Sequence, residues 1–242
     1  MEILIVNPNI TPSMTEKIGM AARAGASAGT TITAVNPATG PESIEGFYDE
    51  ALAVPGLLVE IAKGEARGVA GHVIACFDDT GLDAARALAL APVVGIGEAA
   101  FHMASLIAGS FSVVTTVGLA VPAIQQNLVR YGLATRCVRV RAAEIPVLAL
   151  EDPTSGARQR IEAEIELARR EDRAEAIVLG CAGMADLAAD LSKRCGLPVV
   201  DGVSAAVALV EALAVLRLRT SKLGGYSSPL PKTIRGFPPM AQ

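Results

Sequence analysis

Tryptophan is absent from this 242-residue chain, and aromatic residues make up only 3% of it. With a hydrophobic fraction of 51%, the apolar mass is Ala, Val, Leu and Ile, a composition that suits helices laid on a buried parallel sheet. Basic residues are not in excess. Lys and Arg number 21 against 25 Asp and Glu, a net charge of -4, so the field needed for a nucleic-acid partner is missing. No apolar run approaches the roughly 20 residues of a membrane span, and no membrane partner is expected. There are two histidines and no CxxC pair, which argues against a zinc site; no metal is expected. The start, Met1-Glu2-Ile3-Leu4-Ile5-Val6, lacks a basic leader and reads as a first strand, not as a signal peptide. The expected location is the cytoplasm, where thiols stay reduced. Four cysteines then signify chemistry or packing in place of disulfides.

What the chain does have is strand and helix patterns in alternation. Ile3 to Val6 is an apolar run closed by Asn7-Pro8-Asn9, and Thr11-Pro12-Ser13 offers a helix start before Met14 to Ala24. A strand follows at Thr31 to Val35, then a helical pattern from Glu50 to Lys63, whose start Pro55 is expected to delay. Val69 to Ala75 is a third strand, Leu82 to Leu90 a helix, and Val93 to Ile96 a fourth strand. The order then recurs. Strands at Phe111 to Thr115, Cys137 to Val140, Ala176 to Gly180 and Pro198 to Val200 are separated by helical patterns at Val121 to Tyr131, Arg158 to Arg170 and Ala185 to Arg194. Such alternation argues for right-handed βαβ units and a parallel sheet.

The recurrence is visible in the letters. Cys76 is followed by a helix and then Pro92-Val93-Val94-Gly95; Cys181 is followed by a helix and then Pro198-Val199-Val200-Asp201. The two cysteines lie 105 positions apart, and Asn7 and Thr115, which end the first strand of each half, lie 108 apart. A repeat of that length implies two similar lobes. The expected fold is α/β, with two pseudo-symmetric lobes. Each is a mainly four-stranded parallel sheet flanked by helices, and the active site lies in the cleft between them. Residues 1–98 with 206–242 form the lobe carrying Cys76, and residues 99–205 the lobe carrying Cys181. The helix from Val203 to Leu218 crosses back to the first lobe. The Gly- and Pro-rich stretch from Leu223 to Gln242 reads either as a mobile tail or as an arm packed on its own lobe or a neighbouring subunit.

Cys76 and Cys181 each end a strand pattern before a helix pattern, the rim of a parallel sheet where ligands bind. A helix N-terminus favours the thiolate, so lowered thiol pKa values are expected there. Two such groups facing one carbon could take a proton from one face and return it to the other. Ala182 and Gly183 are small enough to let backbone N–H groups approach an enolate oxygen. Cys137 and Cys195 read as buried packing residues.

Asn7-Pro8-Asn9, Ser43-Ile44-Glu45-Gly46, Ile74-Ala75-Cys76-Phe77-Asp78-Asp79 and Val178-Leu179-Gly180-Cys181-Ala182-Gly183-Met184 together resemble hydantoin racemase, a branch of the aspartate/glutamate racemase superfamily. The resemblance runs from Met1 to about Tyr226. It implies a cofactor-independent enzyme of two α/β lobes, a cysteine acid/base pair that maps onto Cys76 and Cys181, and assembly as a homo-oligomer. One departure is Ile10, where a hydroxyl residue often follows Asn-Pro-Asn; Thr11 comes next, so a polar contact there is shifted or lost.

Candidate substrate-binding residues complete the site. Asn9 can bond a ring amide or shape a turn. Thr115 and Thr116 occupy the matching place in the second half, Ser43 and Ile44 the loop after the second strand, and Phe77 the position after Cys76. Asp78 and Asp79 read as helix caps, and a charge so near Cys76 opposes its thiolate. His72 reads as structural. None of the strand-end segments around Asn9, Cys76, Thr115 or Cys181 carries Lys or Arg, as a site holding a free carboxylate often would. A neutral cyclic amide or ureide fits better, and racemisation of 5-monosubstituted hydantoins is the expected activity. The alternatives are an allantoin racemase, another superfamily activity (aspartate/glutamate racemase, maleate isomerase or arylmalonate decarboxylase type), or a two-lobed binding protein with no need of thiols.

Overall fold

Strands β1 (Glu2–Val6), β3 (Gly71–Ile74), β5 (Phe111–Thr115) and β7 (Ala176–Gly180) are apolar on both faces, because helices cover both sides of each sheet. The computed structural model describes residues 1–233. With β2 (Thr31–Val35), β4 (Val93–Gly95), β6 (Cys137–Ala142) and β8 (Val199–Asp201), these strands form two parallel four-stranded sheets. Their orders are β2-β1-β3-β4 and β6-β5-β7-β8, the same pattern displaced by four strands.

The repeat extends to residue register. Val6 pairs with Ile74 in the first sheet, and Val114 with Leu179 in the second. Two residues beyond Ile74 stands Cys76, and two beyond Leu179 stands Cys181. The spacing seen in the sequence is therefore the spacing of two equivalent sheet rims.

Alternation along the central strands divides the core. Ile3, Ile5, Val73, Phe111, Val113 and Val178 face a cluster shared by both sheets, together with α1 (Pro12–Gly25), α4 (Ile96–Ile107) and α8 (Gly202–Val215). Leu4, Val6 and Ile74 face outward onto α2 (Phe47–Arg67) and α3 (Leu82–Leu88). Val114, Ile177 and Leu179 face outward onto α6 (Ala157–Leu167) and α7 (Ala188–Cys195). Three of the five phenylalanines meet in the shared core. Phe101 of α4 lies edge-on to Phe77 at 5.3 Å and stacks on Phe111 at 6.1 Å.

Two sequence expectations need correction. Pro55 does not delay α2, which starts at Phe47 and runs through it. The helix gives up one backbone hydrogen bond there, while Leu57 and Ile61 remain fully buried against the sheet. The other is the helix N-terminus expected beside Cys76: α3 starts at Leu82, as its pattern predicts, but a tight loop in which Asp79 has φ 52° separates it from that sulfur. Elsewhere α8 packs on α1, α4 and β3. The chain beyond it lies along the first sheet's helices. Lys222 caps the end of α3 by donating to the Arg86 and Ala87 carbonyls, and Tyr226 donates to Asp83. The remainder of the expected tail, 234–242, lies outside the described residues.

The Asp79 loop is pinned from its far side. The buried Asp79 carboxyl accepts from the N–H groups of Gly97 (2.9 Å) and Glu98 (2.8 Å), at the start of α4. It also accepts from the Tyr131 hydroxyl at 2.8 Å, just past α5 (Val121–Arg130), and Asn127 of α5 donates to the Asp78 carbonyl at 2.8 Å. Asp79 is thus a helix cap, but of α4 and not of the helix that follows it in sequence. Gly97 is required for this approach, since a Cβ there would lie 2.3 Å from the Phe77 carbonyl oxygen. Asp79→Ala should lower the free energy of unfolding by about 2–4 kcal/mol, because two amides and a phenol lose their partner. Asp152→Ala, which removes an exposed turn contact to Thr154, should leave it nearly unchanged. Urea denaturation of both variants measures the difference, and equal effects would contradict it.

Candidate active site

The two rims open onto one cleft. Asn7, Asn9, Cys76, Phe77 and Asp78 contribute from the first sheet's side, and Thr115, Thr116, Cys181 and Ala182 from the second. Ile44, Met14, Ala120 and Val147 supply most of the remaining apolar wall. Of the residues singled out in the sequence, eight line the cleft. Ser43 does not; its neighbour Ile44 does. Gly183 sits behind the wall, where a Cβ would lie 3.7 Å from the Cys181 sulfur. Among the described residues, no Lys, Arg or His lines the cleft.

Each sulfur is held in the same way. The backbone N–H two residues on, of Asp78 or of Gly183, lies close enough to favour its anion. Cys76 receives a further O–H from Thr80 at 3.3 Å. Cys181 caps a 3-10 turn, Ala182–Leu187, that leads into α7. The expected lowering of the thiol pKa values is not found. Withdrawal from water outweighs the amide donors and pushes Cys181 up to about 11. Cys76 rises well above the ordinary thiol value, first through burial and then through the neighbouring Asp78 charge. Cys137, half-buried in β6, is also raised by burial, to about 12.

The polar side chains fall into two groups. Asn7 is saturated by Asn9 and Thr15. The Asn9 carbonyl accepts from Asn7 and from the Thr11 amide, while its amide nitrogen has a thioether, Met14 Sδ, at 3.2 Å. Sulfur is a weak acceptor, so that amide can turn to a ligand carbonyl. The Thr115 hydroxyl donates to the Gly180 carbonyl at 2.9 Å, which leaves its oxygen to accept. Gly180 allows this contact, because a Cβ there would lie 2.7 Å from Thr115 Cβ. Thr11 turns away and donates to Glu42, so no hydroxyl follows Asn9 into the cleft. His72 is structural as expected: it is fully buried and bonds Glu65 at 2.8 Å.

Residues 3–210 match the model of the family described as Asp/Glu/Hydantoin racemase. The chain belongs to that family. This racemase is 49% identical over 98% of both chains to a hydantoin racemase of Rhizobium meliloti. It is equally similar to solved allantoin racemases. The one from Klebsiella pneumoniae is 48% identical with a TM-score of 0.96, over 98% of this chain and 96% of that one. The one from Pseudomonas fluorescens is 42% identical with a TM-score of 0.93, over 98% and 100%. Among the described residues of the racemase, no His, Cys, Asp and Glu cluster could hold a metal ion, and no helix is long and apolar enough to cross a membrane.

Sequence reasoning missed Asn7, Met14, Ala120 and Val147 as wall residues. Val147 is brought in from a distant connection, where its N–H bonds Glu45 at 2.7 Å. No local motif marks it. The thiol pKa values predict a reactivity profile. Cys181 alkylation by iodoacetamide, followed by peptide mass spectrometry, should rise about tenfold per pH unit through pH 9, where an ordinary thiol levels off. A plateau below pH 8 would contradict the burial described here.

Proposed function

We propose that this racemase interconverts the enantiomers of 5-monosubstituted hydantoins through Cys76 and Cys181. The observation that carries the proposal is the placement of the two thiols. They come from equivalent rims of two sheets and line one cleft without a cationic side chain. One cysteine, as thiolate, removes the C5 proton and leaves a planar enolate. The other, as thiol, gives a proton to the opposite face. The Asp78 and Gly183 amides stabilise whichever sulfur is anionic. Asn9 donates to a ring carbonyl, and Thr115 and Thr116 contact the ring from the other side. No cofactor takes part in this scheme. A free α-amino acid or a dicarboxylate would meet Asp78 with no Lys or Arg in the wall to hold its charge, which argues against the other superfamily activities.

Allantoin is the second reading, and it belongs to the same class, since it carries a ureido group at C5 of the hydantoin ring. The likeness to the Klebsiella and Pseudomonas enzymes favours it, as do the polar groups of the wall. Polarimetry with enantiopure 5-alkylhydantoin and enantiopure allantoin separates the two by rate. With either ring, Cys76→Ser and Cys181→Ser should each lower racemisation by at least about 10³-fold, and Cys137→Ser should leave it within about twofold. Full activity in either of the first two variants would contradict the mechanism.

A further inference from the structure

One group in the cleft is left unused by the proton transfer. Asp78 lies two residues after Cys76 and is 8% exposed. Its backbone carbonyl is committed to Asn127, and its N–H lies beside the Cys76 sulfur. Its carboxyl is not committed. Asp79, next to it, has three donors, whereas among the described residues none reaches the Asp78 carboxyl. Asp78 lines the same cleft as both sulfurs, so a charge on it would act on each of them. At the equivalent place in the second half stands Gly183. Among the described residues Asp78 is the one carboxyl in the wall, and its counterpart in the second half has none.

The surroundings decide the form of that acid. Glu50 of α2 is a second partly buried carboxyl nearby, with one oxygen enclosed and without a partner among the described residues. Asp79 faces Asp78 from the same loop, and no cation lines the wall. Burial first, and then the Glu50 and Asp79 charges, push the Asp78 carboxyl up to about 8, so it is an uncharged acid at neutral pH. A carboxylic acid presents an O–H donor and a carbonyl acceptor side by side. The partner of matching shape is a cis amide, whose N–H and C=O point the same way. A five-membered ring forces that geometry; an open-chain amide is trans and points them apart.

Accepting the hydantoin reading above, we propose that the Asp78 carboxyl is the specificity-determining residue of the site, pairing through two parallel hydrogen bonds with the ring edge formed by N3–H and the C4 carbonyl. The O–H donates to the C4 oxygen and the acid carbonyl accepts from N3–H. The C4 oxygen gains charge when C5 loses its proton, so the bond to it strengthens as the enolate forms. Asp78 then selects a ring amide and rejects a free carboxylate.

The test compares a 5-alkylhydantoin with its N1-methyl and N3-methyl derivatives. In the wild-type enzyme, N3-methylation should lower kcat/KM by about a hundredfold and N1-methylation by less than about tenfold. This comparison needs no variant to fold. Asp78→Ala should lose about a hundredfold in kcat/KM on the parent ring, and its N3-methyl penalty should shrink to within about threefold. Asp78→Asn can donate and accept along the same edge, and should recover to within about tenfold of the wild type. The wild-type rate should fall above about pH 8 as Asp78 ionises, and that fall should be missing in Asp78→Asn. Equal penalties for N1- and N3-methylation would overturn the proposal, as would an N3-methyl penalty unchanged in Asp78→Ala, or Asp78→Asn as impaired as Asp78→Ala. A wild-type enzyme that racemises no hydantoin would instead overturn the reading on which it rests.

Discussion

The geometry of the cleft depends on a side chain that does not line it. Asp79 occupies a left-handed backbone conformation that costs of order 1 kcal/mol for a residue with a Cβ. Its carboxyl offsets this by capping α4 and binding Tyr131. Because α4 packs against elements of both sheets, the cap fixes the Cys76 loop relative to the sheet that carries Cys181. Asn127 holds the next carbonyl in the same loop. The proposed transfer, in which two sulfurs address one carbon, needs such a fixed relation, since misplacement by an ångström lowers rates by orders of magnitude.

The same enclosure sets the electrostatics. Burial raises both thiols, and the amide donors at Asp78 and Gly183 recover only part of the loss. A thiol raised in this way is almost wholly protonated at pH 8. The reactive anion is thus scarce in the free enzyme but poorly solvated, a condition that makes it a strong base toward a carbon acid. The two sulfurs are equivalent in backbone and unequal in charge. The first has Asp78 and Glu50 near it, while the second feels Lys17, which opposes the shift.

Much of this was legible in the sequence. The buried strands announced themselves as apolar runs closed by Asn-Pro or Gly-Cys. The repeat of 105 to 108 positions foretold two sheets of one topology, which the paired register of Val6 with Ile74 and Val114 with Leu179 makes concrete. Cys76, Cys181, Asn9 and Thr115 were found because strand ends are local features, and Ile44 because it lies in the loop after a strand. Other parts depend on contacts distant in sequence. Asp79 read as a cap, yet its helix begins 17 residues later, at Ile96. Val147 reaches the wall through a bond to Glu45. The direction of the thiol shifts followed from burial, which a strand-end pattern does not reveal. Proline in α2 misled because the helix's packing on the sheet outweighs one lost backbone bond.

The central claim is that two different thiols serve the two faces of one carbon. The placement of deuterium tests it most directly. An enantiopure 5-alkylhydantoin is incubated with the enzyme in D₂O, and both enantiomers are isolated early in the reaction. Two-thiol transfer predicts deuterium at C5 of the newly formed enantiomer and protium at C5 of the remaining substrate. Protium retained in the product, or deuterium entering the remaining substrate as fast as the product forms, would mean that one group serves both faces and would contradict it.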